Sequence, residues 1–164
     1  MTNSHFQNGF ISYLIAATCA FLATFFIASR IIARRQSVSN FTRISRALIA
    51  GGFVIGAVTH LENWLRAGLV PAPDQPFAFN LFWSSLLFVD PLIALSIILW
   101  FRPGIVLAII IMIADLTINM MVLLQNRFSI STGWPFYSQC IFFVFINVVM
   151  RRCWNESATK PRAI

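Results

Sequence analysis

The stretch GIVLAIIIMIADLTINMMVLLQ, Gly104–Gln125, is almost wholly apolar, yet it carries Asp115 and Asn119 near its middle. As a helix rising about 1.5 Å per residue it would be about 33 Å long, enough to cross a hydrocarbon layer of roughly 30 Å. It lacks the apolar–polar alternation that a strand of a membrane barrel needs. The segment therefore reads as a transmembrane helix, and the rest of the chain has to be compatible with it.

Four further apolar runs have the length of a membrane span or near it: Phe10–Ala33, Ala47–Val70, Asn80–Phe101 and the shorter Pro135–Met150. In lipid each run must satisfy its own backbone hydrogen bonds, and a continuous helix does that. The 164 residues are 59% hydrophobic, include 17 Phe and are only 10% charged. A soluble domain of this size could not bury so much apolar surface. The expected fold is an all-α integral membrane protein, one domain over residues 1–164, built as a bundle of five transmembrane helices. The first run has no preceding Lys or Arg and is too long for a signal-peptide core, so it reads as an uncleaved anchor.

The net charge of +7 would suit a nucleic-acid binder if the basic residues formed a soluble face. They flank the apolar runs instead, so the lipid bilayer is the expected partner and nucleic acid is not. With the N-terminus outside and the C-terminus cytoplasmic, ten of the 12 basic residues fall inside: Arg30, Arg34, Arg35, Arg43, Arg46, Arg102, Arg151, Arg152, Lys160 and Arg162. Only Arg66 and Arg127 fall outside, as the retention of positive residues in the cytoplasm predicts. A multi-pass protein of a plasma or inner membrane is expected. The basic, Ser-rich loop after the first span lies against anionic headgroups, and Trp134 in the loop before the last span falls at an aromatic belt. The segment PAPDQPFAF, with Pro71, Pro73 and Pro76, forms a stiff extended cover. Arg102–Gly104 is so short a turn that the third and fourth helices must be antiparallel neighbours.

Ionisable groups inside the spans are costly and need a partner, a proton or a water-filled cavity. By helical rise, Asp115 lies about 16 Å and Asp90 about 15 Å into their runs, both close to the midplane. Asp115 and Asn119 share one face of their helix at i and i+4. For Asn119 alone an interhelical hydrogen bond is sufficient explanation, whereas Asp115 reads as functional. Asp90–Pro91 has the pattern of an N-cap followed by Pro at the first helical position, so the third run is expected to break there. That break serves either as a structural cap or as a transporter-like ion site. In the second run Gly52, Gly56 and His60 recur every four residues on a face suited to close packing. Thr59, Glu62, Asn63 and Arg66 form the neighbouring stripe, with Glu62 and Arg66 spaced for a surface ion pair. Gln139 in the fifth run has a depth similar to that of Asn119.

These positions point to an intramembrane pocket opening outward. Asp115, Glu62, His60 and Asp90 are the candidate catalytic groups, and Asn119, Asn63, Trp64, Trp83 and Gln139 are candidates for contact with a lipophilic small molecule. Desolvation favours the neutral acid at Asp115, while Glu62 nearer water stays ionised, a division suited to acid–base catalysis. Trp64, Trp83 and Phe88 are candidate aromatic walls for carbocation-like chemistry. The expected function is a membrane enzyme of the isomerase, cyclase or lyase kind. The alternatives are a proton-coupled carrier, acting as a homo-dimer, and a non-catalytic subunit bound to a membrane partner.

The chain has no GxSxG, HExxH, P-loop, dinucleotide fingerprint or CxxC, which disfavours the common hydrolases, zinc peptidases, nucleotide-driven pumps and thiol redox enzymes. Its two histidines, His5 and His60, cannot build a multi-His metal site, and only carboxylates would remain as ligands. No metal and no cofactor is expected. Cys19, Cys140 and Cys153 read as small buried hydrophobes plus one near-surface thiol. A bundle of four or five helices with midplane carboxylates resembles sterol-isomerase-like membrane proteins in general outline, without a motif that carries residues over.

Overall fold

The computed structural model describes residues 3–125 and 130–157, with side chains from 11–125 and 136–157. Arg127, Lys160 and Arg162 lie outside the described residues, as do the side chains of His5 and Trp134. Five helices follow in order: α1 Asn3–Arg35, α2 Asn40–Ala67, α3 Phe77–Leu99, α4 Phe101–Gln125 and α5 Ile130–Glu156. Each contains a stretch long and apolar enough to cross a membrane. The chain is thus all-helical, with five candidate membrane spans among the described residues.

α2 is the hub of the bundle. It packs against α1, α3 and α5, and the pairs α3–α4 and α4–α5 close a ring of four helices, with α1 laid against α2. Small residues permit these approaches. An added Cβ would collide with the Phe21 ring at Gly51 and with the Phe142 ring at Gly52. At Gly104 it would lie 2.7 Å from the Ile97 nitrogen, so α4 rests on α3 backbone to backbone. The interior is aliphatic and closely filled: Ile49, Ile93, Ile97, Ile105 and Ile146 are fully buried. The outer surface is equally apolar, with Leu65 70%, Phe88 69% and Val148 73% exposed. Such a surface is stable against hydrocarbon and not against water.

α2 starts at Ser39, whose side chain accepts a hydrogen bond from the Thr42 N–H at 3.2 Å. It ends at Gly68, whose φ of 71° lies where a Cβ is unfavourable and whose N–H returns to the Trp64 carbonyl. The proline segment that follows is pinned by fully buried Asn80, which donates to the Ala72 carbonyl and accepts from the Ala72 N–H, both at 2.8 Å. The Ser84 hydroxyl donates to the Leu69 carbonyl at 3.1 Å. The cover is therefore held by two polar side chains of α3 as well as by its prolines.

Four details differ from the sequence expectations. α3 does not break at Asp90–Pro91: it is continuous from Phe77 to Leu99 with Pro91 inside, on an exposed face. Pro91 removes one N–H from the helix, and a helix held by its neighbours tolerates that loss. The turn between α3 and α4 is Trp100 alone, and Arg102, Pro103 and Gly104 form the first turn of α4, where proline is tolerated. α5 begins at Ile130, ahead of the expected Pro135.

Arg46, expected among the headgroups, is fully buried. Its guanidinium donates to the Ile97 carbonyl at 2.8 and 3.2 Å and to the Ile98 carbonyl at 3.0 Å, and it contacts Gln36. It also lies 5.1 Å from the centre of the Phe101 ring. These carbonyls belong to the last turn of α3, which no backbone donor of that helix can satisfy, so Arg46 is the C-terminal cap of α3. Among the thiols, Cys153 is buried and Cys19 exposed on the apolar surface.

Candidate functional site

In the half of the bundle that holds the N-terminal part of α1 and the α2–α3 loop, the helices do not close completely. They leave a cavity of about 820 Å³ lined by residues of all five. α2 contributes most of one wall, from Gly52 through Ile55, Gly56, Thr59, His60 and Asn63 to Arg66 and Ala67, because a helix presents one stripe at spacings of three and four. Pro71 and Ala72 form the rim, Trp83 enters from α3, and Ser138, Gln139 and Phe142 enter from α5. Gly52 and Gly56 remove bulk from the α2 face, and Phe142 fills part of the space, edge-on to Phe53 with 5.7 Å between ring centres.

Asp115 and Asn119 supply the α4 wall, and with Gln139 they form a closed triangle. The Asn119 amide donates to Asp115 Oδ1 at 2.8 Å and to Gln139 Oε1 at 3.0 Å, and the Gln139 amide donates to Asp115 Oδ2 at 2.6 Å. The first contact is the i, i+4 pair visible in the sequence. The two involving Gln139 join α4 to α5. Each oxygen of the Asp115 carboxyl thus has an amide donor, and Trp83 also comes within side-chain reach of it. The group is 6% exposed and lines the cavity.

Across the cavity the Thr59 hydroxyl donates to the Ile55 carbonyl at 2.9 Å and lies 2.7 Å from the Tyr13 hydroxyl. Because the Thr59 proton is directed to its own helix, Tyr13 is the donor in the second contact, and it ties α1 to the cavity wall. His60 lies one residue further along α2. No hydrogen bond reaches its imidazole among the described residues.

Of the residues singled out from sequence, the structure brings Asp115, Asn119, Gln139, His60, Asn63 and Trp83 to one cavity. Four others stand apart. Glu62 points away from the cavity and pairs with Arg66, whose own side chain is 56% exposed at the cavity mouth. Trp64 is 42% exposed on the outer surface. Asp90 is 5% exposed and lies behind the wall, its carboxyl pressed against Gly56. Phe88 faces outward and forms no wall. Tyr13, Ser138 and Phe142 are among the lining residues that sequence reasoning overlooked. A lone tyrosine in the otherwise apolar run YLIAA was the available signal for the first. Among the described residues no group of three metal-ligating side chains occurs. No family model, curated protein or solved structure matches the chain.

Proposed function

We propose that the protein is a membrane-embedded enzyme that moves protons on a lipophilic small molecule, as an isomerase or lyase does, in the cavity between its helices. The observation that supports this most is the setting of Asp115, a buried carboxyl fixed by two amide donors at the wall of a cavity of about 820 Å³. A proton-transfer group works when its geometry is fixed before the substrate arrives, and the Asn119–Gln139 pair fixes both oxygens. Cavities of this size hold molecules of about drug or lipid-fragment size. His60, on the facing helix, is the second proton carrier and replaces Glu62, which is engaged with Arg66. Trp83 and Phe142 line the same space, and aromatic rings stabilise a developing positive charge.

The proposed orientation has the cavity half outside and the C-terminus cytoplasmic. Arg30, Arg34, Arg35, Arg43, Arg102, Arg151 and Arg152 sit toward the bundle end that holds the α1–α2 and α3–α4 connections, and Arg66 toward the other. That asymmetry supports an inside location for the first end. A carrier function drew its support from a broken third helix and an outward opening, and the continuity of α3 removes the first of these.

The test uses the small molecule that purifies with the wild-type protein. Returned to protein in lipid vesicles, it should be converted by wild type, bound but not converted by Asp115→Asn, and converted normally by Trp64→Phe, which alters only the outer surface. Equal turnover by wild type and Asp115→Asn would refute the proposed role.

A further inference from the structure

α1 and α5 flank α2 without packing on each other. A Cβ at Gly51 would strike the Phe21 ring of α1, and one at the next residue, Gly52, the Phe142 ring of α5. Successive residues of a helix point about 100° apart, so these two neighbours of α2 are separated by roughly that angle. Both pack on α2, yet they form no packed pair with each other among the described residues. Each step of four residues turns the direction by about 40°, which carries Ile55 and then Thr59 from the Gly51 side into the arc between α1 and α5. Both line the cavity, with Tyr13 of α1 on one bank and Ser138 and Gln139 of α5 on the other. The cavity thus reaches into a fissure between two helices whose outer faces are apolar: Leu14 and Ile15 of α1 are 53% and 59% exposed, and Ile141 of α5 is 68% exposed.

We infer that the cavity is entered sideways from the bilayer, through the fissure between α1 and α5, and that its ligand is a membrane lipid whose chain passes over Ile55 and Thr59. The way in from water is roofed by Pro71 and Ala72, and Asn80 holds Ala72 by both its N–H and its carbonyl at 2.8 Å. The floor of the fissure suits hydrocarbon although hydroxyls line it. The Tyr13 hydroxyl donates to Thr59 at 2.7 Å, and the Thr59 hydroxyl donates to the Ile55 carbonyl at 2.9 Å. Neither donor is left for a passing chain to desolvate. Within the cavity Asn63 and Arg66 place polar groups beside one end of such a lipid, and Gly52 and Phe142 give its chain an apolar bed at the other. Sites between the helices of a bundle are of this kind, mostly apolar with a few convergent polar groups. A lipid is thereby the substrate class of the acid–base site, which rests on the reading proposed above, whereas the route rests on the packing of α1, α2 and α5.

The probe is a brominated phosphatidylcholine, whose acyl-chain bromines quench tryptophan fluorescence on contact. The full chain with Trp64, Trp100, Trp134 and Trp154 each replaced by Phe keeps Trp83, on the cavity wall, as its one tryptophan. In vesicles of the brominated lipid Trp83 should lose emission relative to vesicles of the same lipid without bromine, and acrylamide added in water should quench it little. Thr59→Phe, which sets a ring on the floor of the fissure, should restore most of the lost emission. Tyr13→Ala, which removes one bank, should deepen the loss. A companion chain that keeps Trp64 alone, 42% exposed on the outer surface, should be quenched by the brominated lipid to the same extent with either substitution or neither. The helical signal verifies that each variant is folded. Quenching of Trp83 by acrylamide in place of lipid, quenching by neither, or lipid quenching indifferent to both substitutions would overturn the inference. No turnover enters this measurement. Lipid entry without conversion would therefore sink the enzyme reading alone, and conversion without lipid entry would sink this inference alone.

Discussion

The Gln139 amide donates to Asp115 Oδ2 at 2.6 Å, joining α5 to α4 across 24 positions of sequence. Asn119 bridges the same two residues, so the only carboxyl on the cavity surface is also the point at which two helices are fastened among the described residues. Gln139→Leu should therefore both loosen α4 from α5 and free one Asp115 oxygen. A loss of about 0.6–2 kcal/mol is expected, the range for interhelical hydrogen bonds in membranes. Unfolding of the protein in bilayer discs measures it. Asn119→Leu should cost a similar amount, and the double variant less than the sum, because the three side chains form one network.

Arg46 should be among the most sensitive positions in the chain. Arg46→Leu leaves the Ile97 and Ile98 carbonyls without their donors, and a loss of about 3 kcal/mol or more is expected from hydrogen bonds to a charged group. Arg46→Lys should fail to restore stability, since an ammonium lacks the planar fork that serves two carbonyls and Gln36 together. Thermal unfolding in detergent, followed by the helical signal, separates these variants from wild type.

Gly104→Ala should push α4 off α3. The added Cβ would meet backbone atoms, Ile97 N and Ser96 C at 2.7 Å, which no change of rotamer can move aside. Overpacking of this kind costs about 1–3 kcal/mol. Gly68→Ala, where the space is open but φ is 71°, should be milder and should loosen the α2–α3 loop. Thermal unfolding and limited proteolysis of the loop distinguish the two.

A cysteine placed at Asp74, in the α2–α3 loop, should react with a membrane-impermeant maleimide added outside intact cells. One placed at Ser37, between α1 and α2, should react only after the membrane is opened. The background is Cys19→Ala, Cys140→Ala and Cys153→Ala, with the last checked for folding because that thiol is buried. The reverse pattern would overturn the proposed orientation.

The five spans were legible because a membrane helix has to be continuously apolar, a property of single segments. The Asp115–Asn119 contact was legible for a related reason, since i, i+4 neighbours are set by helix geometry alone. Gln139 could be matched by depth but not by direction. Glu62 and His60 show why direction is harder: two residues along a helix rotate a side chain by about 200°, which places one on the cavity and the other on the outer surface. Arg46 was misread because its partners are carbonyls at the far end of another helix, and nothing in a sequence marks where those ends meet. Tyr13 was hidden in a helix that faces lipid almost all round, and only its contact with Thr59 shows that one side of α1 reaches the cavity.

The central claim is that the space beside Asp115 holds a lipophilic small molecule. Native mass spectrometry of the gently solubilised protein tests it with wild type and Thr59→Trp, in which an indole would fill space that Thr59 borders. Wild type should retain one small apolar molecule per chain, and Thr59→Trp should be folded and empty. A wild-type protein with no retained molecule, or one retained equally by both and accompanied by a stoichiometric protein partner, would contradict the claim and make the polar cluster an assembly device.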